Sequence, residues 1–321
     1  MTPAGEKIAF LIRRGGPLRF AEFMETALYD VECGYYTSGR KVFGREGDFY
    51  TSEQIQPVFG RLVAAAAEKW KQECAGEFHL AEWGAGRGEM EEQLGGFNYA
   101  AVDRGRDGAP LKLEGAVFSN ELFDALAVDA AKRSQGVWRL MRVGLEDGEF
   151  VWTEGEELAG EWLEYALRAG SFIEDEEAWI ELPVELRRML AEIDSRLVRG
   201  RIVAVDYGYS ERELRRFPAG TLMAYRKHRA SCEVLRNPGE QDITAHVPLT
   251  YLMESAAAMG WRDGRLRTLS QWILEECGES GVERAVAAES ETEKLRLRLK
   301  LKTLLFGMGE SFRVAEWNKL A

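Results

Sequence analysis

The sequence predicts an α/β fold built on a mostly parallel sheet, and three observations carry that reading. Short apolar runs recur at residues 78–83, 99–103, 116–120 and 201–206, each brief enough and apolar enough to be a strand covered on both faces. Each run closes on a polar residue, and open α/β sheets place ligands beyond the carboxyl ends of their strands. The first run is followed at once by Gly84-Ala85-Gly86-Arg87-Gly88, a turn whose bare backbone can come close to a ligand.

Before the sheet, residues 1–75 read as a mainly helical region. Leu18, Phe20, Phe23, Met24, Ala27 and Leu28 form one helical stripe, and an alanine-rich second stripe runs over residues 58–70. Between them, residues 34–52 are rich in glycine and aromatics without helical period, as a loop would be. Residues 76–321 then form the sheet domain. Within it, the charged stretch at about 154–199, broken by Pro183, reads as a helical insertion. Residues 249–259 read as a helix and 312–315 as a late strand. Residues 293–305 alternate leucine with cations as a strand does, but nearly all are strong helix formers, so a helix is predicted.

Composition narrows the partners. The chain has 321 residues and a formal charge of −12, which repels the phosphates that supply most nucleic-acid affinity; a basic protein is a more natural partner. No run of eighteen apolar residues occurs. The charges around Ile8 to Ile12 do not suit a signal peptide, so a cytoplasmic location is expected. Cys33, Cys74, Cys232 and Cys277 are scattered, and the histidines are His79, His228 and His246. Neither a disulfide framework nor a metal site is indicated.

The glycine loop and the acid at the end of the next run, Asp103, imply a nucleoside ligand whose ribose hydroxyls the carboxylate accepts. The loop is expected to open a helix whose N-terminus takes a negative group. Its G-x-G-x-G spacing lacks the third glycine of the dinucleotide fingerprint and points away from a nicotinamide-dependent oxidoreductase. A plain strand-to-helix turn also accounts for the loop taken alone. Asp48, Phe49, Tyr50, Thr51 and Ser52 put hydroxyls and an acid beside aromatic rings; they suit a ligand, or they cap and pack N-terminal helices. If a helix begins after residue 120, Glu121 and Asp124 lie on one face and converge on a cation; otherwise they are a cap and a surface pair. His246 is a candidate general base, since histidine titrates near neutrality, or a structural hydrogen-bonder. His79, inside an apolar run, reads as a core residue.

Many segments in order, among them Gly34-Tyr35-Tyr36, Gly47-Asp48-Phe49-Tyr50-Thr51-Ser52, Glu82 with the glycine loop, Ser119-Asn120-Glu121-Leu122-Phe123-Asp124, Val205-Asp206-Tyr207-Gly208-Tyr209 and Asp242-Ile243-Thr244-Ala245-His246, make the chain resemble the MidA-like methyltransferases. The resemblance implies a Rossmann-like class I methyltransferase sheet and S-adenosylmethionine as cofactor. It implies a protein substrate, with arginine favoured and a respiratory complex subunit as an example. It places residues 47–52 over the cofactor, Glu82, Gly84, Gly86 and Gly88 on its methionine part, and Asp103 on its ribose. Asn120, Glu121 and Asp124 fall where the methyl group is transferred, with Asp206 and Tyr207 at the rim. The chain departs from the family in being short on either side of Asp103, in carrying Glu53-Gln54 for Pro-Glu, and in carrying Ala127 for Pro. Those departures motivate an alternative: a methyltransferase-like protein without turnover that serves as an assembly partner.

Overall fold

The computed structural model describes residues 1–37, 55–74, 76–110 and 112–320. The chain folds as two compact units, each assembled from separated segments. One comprises Met1–Tyr50, Asp124–Arg188 and Tyr209–Thr250; the other comprises Thr51–Phe123, Met189–Gly208 and Tyr251–Ala321.

The second unit holds the predicted sheet. Its strands are β1 (His79–Trp83), β2 (Asn98–Asp103), β3 (Arg106–Asp107), β4 (Leu113–Asn120), β5 (Leu197–Tyr209), β6 (Arg262–Thr268) and β7 (Phe312–Lys319), in the order β6-β7-β5-β4-β1-β2-β3. β1 pairs in parallel with both β2 and β4, and β4 in parallel with β5. β7 runs antiparallel between β5 and β6, and β3 antiparallel to β2. The chain therefore leaves β1 toward one edge and returns on its other side at β4. That reversal opens a crevice at the carboxyl ends of β1, β2 and β4.

The Val58–Glu73 helix explains why β1 sits centrally. Val58, Phe59, Leu62, Val63, Ala66 and Trp70 are buried along it and pack in one core with Leu80, Phe118, Val203, Val205 and Trp272. A core leucine such as Leu62 cut to alanine costs about 2–5 kcal/mol in such a setting. The Glu291–Lys302 helix decides the ambiguous leucine ladder. Ser290 caps it by accepting from the Glu293 N–H at 3.2 Å, Glu291 and Glu293 occupy its first turn and Lys300 and Lys302 its last, each end matched to the helix dipole.

The connections beside β2 are short, as anticipated. One four-residue helix, Glu91–Leu94, joins β1 to β2, and between β2 and β4 the described residues hold the two-residue strand β3 and no helix.

The first unit contains a sheet that the apolar pattern did not announce. Asp129–Ser134, Val137–Glu146 and Glu149–Glu157 form an antiparallel meander, extended by Leu18–Arg19 and Trp179–Leu182. Its hairpins turn at Gln135-Gly136 and Asp147-Gly148, where all four residues have positive φ, the geometry of type I′ turns. The Pro3–Gly15 and Phe20–Tyr29 helices cover it through Ile8, Ile12, Phe20, Phe23, Met24 and Leu28. The 154–199 stretch, read as helical, combines the helices Gly160–Gly170 and Leu186–Arg196 with the end of one strand, the whole of Trp179–Leu182 and the start of β5.

Candidate functional site

The glycine loop leaves β1 directly. Gly84, Gly86 and Gly88 all take positive φ, 73°, 52° and 83°, the left-handed region that side chains resist. A Cβ on Gly84 would stand 3.0 Å from Leu122 Cδ1, and one on Gly88 would stand 2.8 Å from Glu91 Oε2.

The amides of Gly84, Ala85 and Gly86 do not face outward as anticipated. Gly84 and Ala85 N–H donate to the Val102 carbonyl at 2.9 and 3.2 Å, and Gly86 N–H donates to Asp103 Oδ2 at 2.6 Å. The Glu91–Leu94 helix is too short to present a dipole. An anion has little to bind here, which corrects the expectation of a negative group on a helix N-terminus.

Carboxylates dominate instead. Glu82 is buried in β1, and Tyr99, one strand away, donates its hydroxyl to Glu82 Oε2. Burial pushes the Glu82 pKa up to about 7, against the Tyr99 hydrogen bond; Glu89 and Asp103 raise it further and Arg106 lowers it. Asp103 closes β2, its Oδ1 accepting from Arg104 N–H at 2.6 Å while Oδ2 holds Gly86. A carboxylate offers about four acceptor sites, so each oxygen retains capacity for a sugar hydroxyl.

Asn120 ends β4 beside this loop, since Ser119 pairs with Trp83 and Asn120 with Val205. Its Nδ2 donates to Glu121 Oε1 at 3.2 Å, and Glu121 N–H continues the ladder to the Val205 carbonyl at 2.9 Å. Glu121 has φ 50°, a conformation that costs about 1–3 kcal/mol in a residue other than glycine and gathers at functional sites. No helix begins here: residues 121–128 are bends and turns. The expected pairing of Glu121 and Asp124 on one helical face is therefore not formed. Asp206 is buried at the end of β5, accepting Phe123 N–H and Tyr207 N–H, both at 2.9 Å. It holds the turn after Glu121 in place.

Asp124 and His246 belong to the first unit. The Asp124 carbonyl accepts from Ala245 N–H at 2.9 Å. Near it, Tyr36 donates to buried Asp242 at 2.9 Å, and Tyr29 stacks on Tyr36 and donates to the Ala125 carbonyl at 2.8 Å. His246 N–H donates to Thr221 Oγ1 at 3.1 Å, Thr221 is held through its amide and hydroxyl by buried Glu181, and the imidazole packs edge-on against Phe217. Burial, helped by Arg216, lowers the His246 pKa, and burial raises that of Glu181. The imidazole is thus a weaker base than free histidine. His228 sits in the tight turn between Met223–Arg226 and Arg229–Ser231. Asp48, Phe49, Tyr50, Thr51 and Ser52 lie outside the described residues.

Sequence reasoning passed over Tyr99, Leu122 and the Arg106–Glu91 ion pair beside Gly88. Tyr99 had a signal: opposite Leu80 in register, it shares a sheet face with Glu82 two residues on. The other two depend on chain reversals with no local pattern.

Comparison with known proteins fits this geometry. Residues 105–264 match a family of S-adenosyl-L-methionine-dependent methyltransferases. A structure from Burkholderia thailandensis, described as a "likely methyl transferase" bound to S-adenosyl-homocysteine, superposes with a TM-score of 0.86 at 25% identity, over 98% of this chain and 91% of that one. The chain is similar to the MidA-like methyltransferases and divergent from them. Two relatives within that group carry the name protein arginine methyltransferase NDUFAF7, mitochondrial, or its homolog. The Bos taurus protein is 25% identical over 316 residues, spanning 78% of this chain and 68% of its own length. The Drosophila melanogaster protein is 42% identical over 81 residues, 25% of this chain and only 18% of its own.

Proposed function

We propose that this protein transfers a methyl group from S-adenosylmethionine to a protein side chain, with arginine the favoured acceptor. The carrying observation is the chemistry around the glycine loop: Glu82, Asp103 and Glu121 surround strand ends where the amides of Gly84, Ala85 and Gly86 already bond inward and the next helix has only four residues. A dinucleotide brings a pyrophosphate that such a site repels. S-adenosylmethionine brings a sulfonium and an ammonium, which acids attract.

In this reading the glycines leave room for the methionine part, with Glu82 beneath it. Asp103 accepts the ribose hydroxyls while its bonds to Gly86 and Arg104 fix the angle of approach. When bound, the cofactor supplies an electrophilic methyl group on sulfur. Asn120 and Glu121, locked to each other and to β5, stand at the end of β4 to orient an acceptor nitrogen; holding reacting atoms in line provides much of the acceleration. Arginine as acceptor rests on the relatives' names and on the match between a planar cation and a carboxylate. A respiratory complex subunit is the candidate substrate that the family resemblance implies. We place the activity in the cytoplasm, where the unpaired Cys33, Cys74, Cys232 and Cys277 suit a reducing medium; fractionation of the source cells checks this.

Calorimetric titration with S-adenosylhomocysteine, followed by transfer of tritium from labelled S-adenosylmethionine into a lysate lacking the protein, tests the proposal. Saturable heat and label on arginine are expected. Heat without label in any lysate protein would favour a binding partner that has lost turnover, a reading that the short β2 flank also suits. Absence of heat overturns the cofactor assignment.

A further inference from the structure

The Glu291–Lys302 helix carries a feature that methyl transfer does not use. Leu297 and Leu304 pack into the core, whereas Leu295 and Leu299, four residues apart, are 59% and 58% exposed. Seven residues further, in the wide turn Thr303–Gly307 that prolongs the helix, Phe306 is 76% exposed. Leu295 and Leu299, one turn apart, share an outward face, and Phe306 stands beyond them on the wider turn. Isolated exposed leucines need no explanation, but three large apolar side chains exposed along one short helical segment do.

Charge accompanies these residues. Lys294, Arg296, Arg298, Lys300 and Lys302 place five cations and no acid in residues 294–302 of a chain whose net charge is −12. Arg296, Arg298 and Lys302 are exposed beside these residues, with Lys302 between Leu299 and Phe306 in sequence. Arg296 reaches back to Glu293 at 3.5 Å, and Lys300 turns inward to the Gln56 carbonyl.

We propose that this helix face docks on an anionic membrane surface. A helix lying in a bilayer interface sinks its apolar line below the headgroups while long cationic side chains on both flanks reach up to the phosphates. Leu295, Leu299 and Phe306 supply the apolar contact here, and Arg296, Arg298 and Lys302 the cations. An acidic protein is a poorer fit, because interface cores are depleted of lysine and require a groove shaped to these side chains. No helix among the described residues is long and apolar enough to cross a membrane, so the contact is peripheral and reversible.

Cosedimentation of the full-length protein with vesicles tests this. Binding is expected to vesicles of phosphatidylcholine mixed with phosphatidylglycerol, weakening as salt is raised, and not to phosphatidylcholine alone. Leu299→Gln with Phe306→Ser should reduce partitioning about tenfold or more, and Arg298→Glu with Lys302→Glu by a similar factor. All four positions are exposed, and unchanged melting temperature and S-adenosylhomocysteine affinity would show that each variant is folded. The proposal is overturned if vesicles of neither kind bind, if both bind equally, or if the Leu299 and Phe306 substitutions leave partitioning unchanged. Binding to poly-glutamate without binding to anionic vesicles would overturn it in favour of an acidic protein.

Discussion

The crevice around β1 and the polar cluster of the other unit are built from similar residues by opposite means. In the crevice, partners are close in sequence: Gly86 and Asp103 are 17 residues apart, as are Tyr99 and Glu82, and Asn120 holds its neighbour Glu121. In the other unit, Tyr36 reaches Asp242 across 206 residues and Glu181 reaches Thr221 across 40. A parallel sheet brings successive strand ends together, so its site follows from local pattern. The second cluster exists only once distant segments have packed. The first should therefore fail one contact at a time, and the second should share its losses.

The most damaging single change belongs to the crevice. Gly84→Val forces a β-branched residue to φ 73° with its Cβ against Leu122. S-adenosylhomocysteine affinity should fall at least about a hundredfold, because displacing backbone at a ligand's seat forfeits several contacts at once. Gly84→Asn, which tolerates positive φ better, should lose less. Equal losses would mean that room beside Leu122, not backbone conformation, sets the requirement.

A pair of buried acids sharpens the contrast. Asp206→Ala strands the amides of Phe123 and Tyr207, at about 1–3 kcal/mol for each buried donor left unmet, and thermal denaturation should show a drop of several degrees. Asp242→Asn leaves an oxygen for the Tyr36 hydroxyl, so its melting point should move far less. A larger loss at Asp242 would show that its charge, not its acceptor, organises Tyr29 and Tyr36.

What the sequence made legible follows the same division. The parallel strands, the Val58–Glu73 helix and the glycine loop each carry their own period or turn signal. The antiparallel meander carried one too, in Asp147-Gly148 and Gln135-Gly136, but alternation at 129–157 is blurred because Glu149–Glu157 is only partly buried. Neither the turn at Glu121 nor the amide-holding role of Asp206 could be read, because a buried carboxylate's partners depend on where a neighbouring strand ends. The loop's inward amides escaped for a related reason: Val102 and Asp103 compete for them, and that competition exists only after β2 pairs with β1.

Glu82 offers a subtler separation. Its folded-state pKa of about 7 lies above the ordinary carboxylate value because ionisation within the sheet is poorly solvated. The protonated form thus favours the fold. Its contribution is fully present below the usual carboxylate range and is lost as pH rises to about 7, after which it stays level. Melting temperature measured between pH 5 and pH 8 should decline with that profile, and Glu82→Gln, uncharged throughout, should flatten it. Binding of S-adenosylhomocysteine should strengthen over the same interval, since an ionised Glu82 meets the ligand's ammonium. A variant whose binding keeps the wild-type pH dependence would locate the titration elsewhere.

The smallest expected effect concerns Arg106 and Glu91, paired at 2.9 Å beside Gly88 with both side chains substantially exposed. Exposed pairs contribute up to about 1 kcal/mol and are screened by salt. Yet this one lies against the last glycine of the loop, where a Cβ would stand 2.8 Å from Glu91 Oε2 and 3.0 Å from Arg106 Nη1. Removing Arg106 also takes away a cation that lowers the Glu82 pKa. Arg106→Gln should therefore leave the melting temperature nearly unchanged at pH 5, where Glu82 is protonated, and shift the midpoint of its pH dependence upward. A uniform loss at every pH would show that the pair acts as a strut for β3 instead, and that the short flank of β2 depends on it.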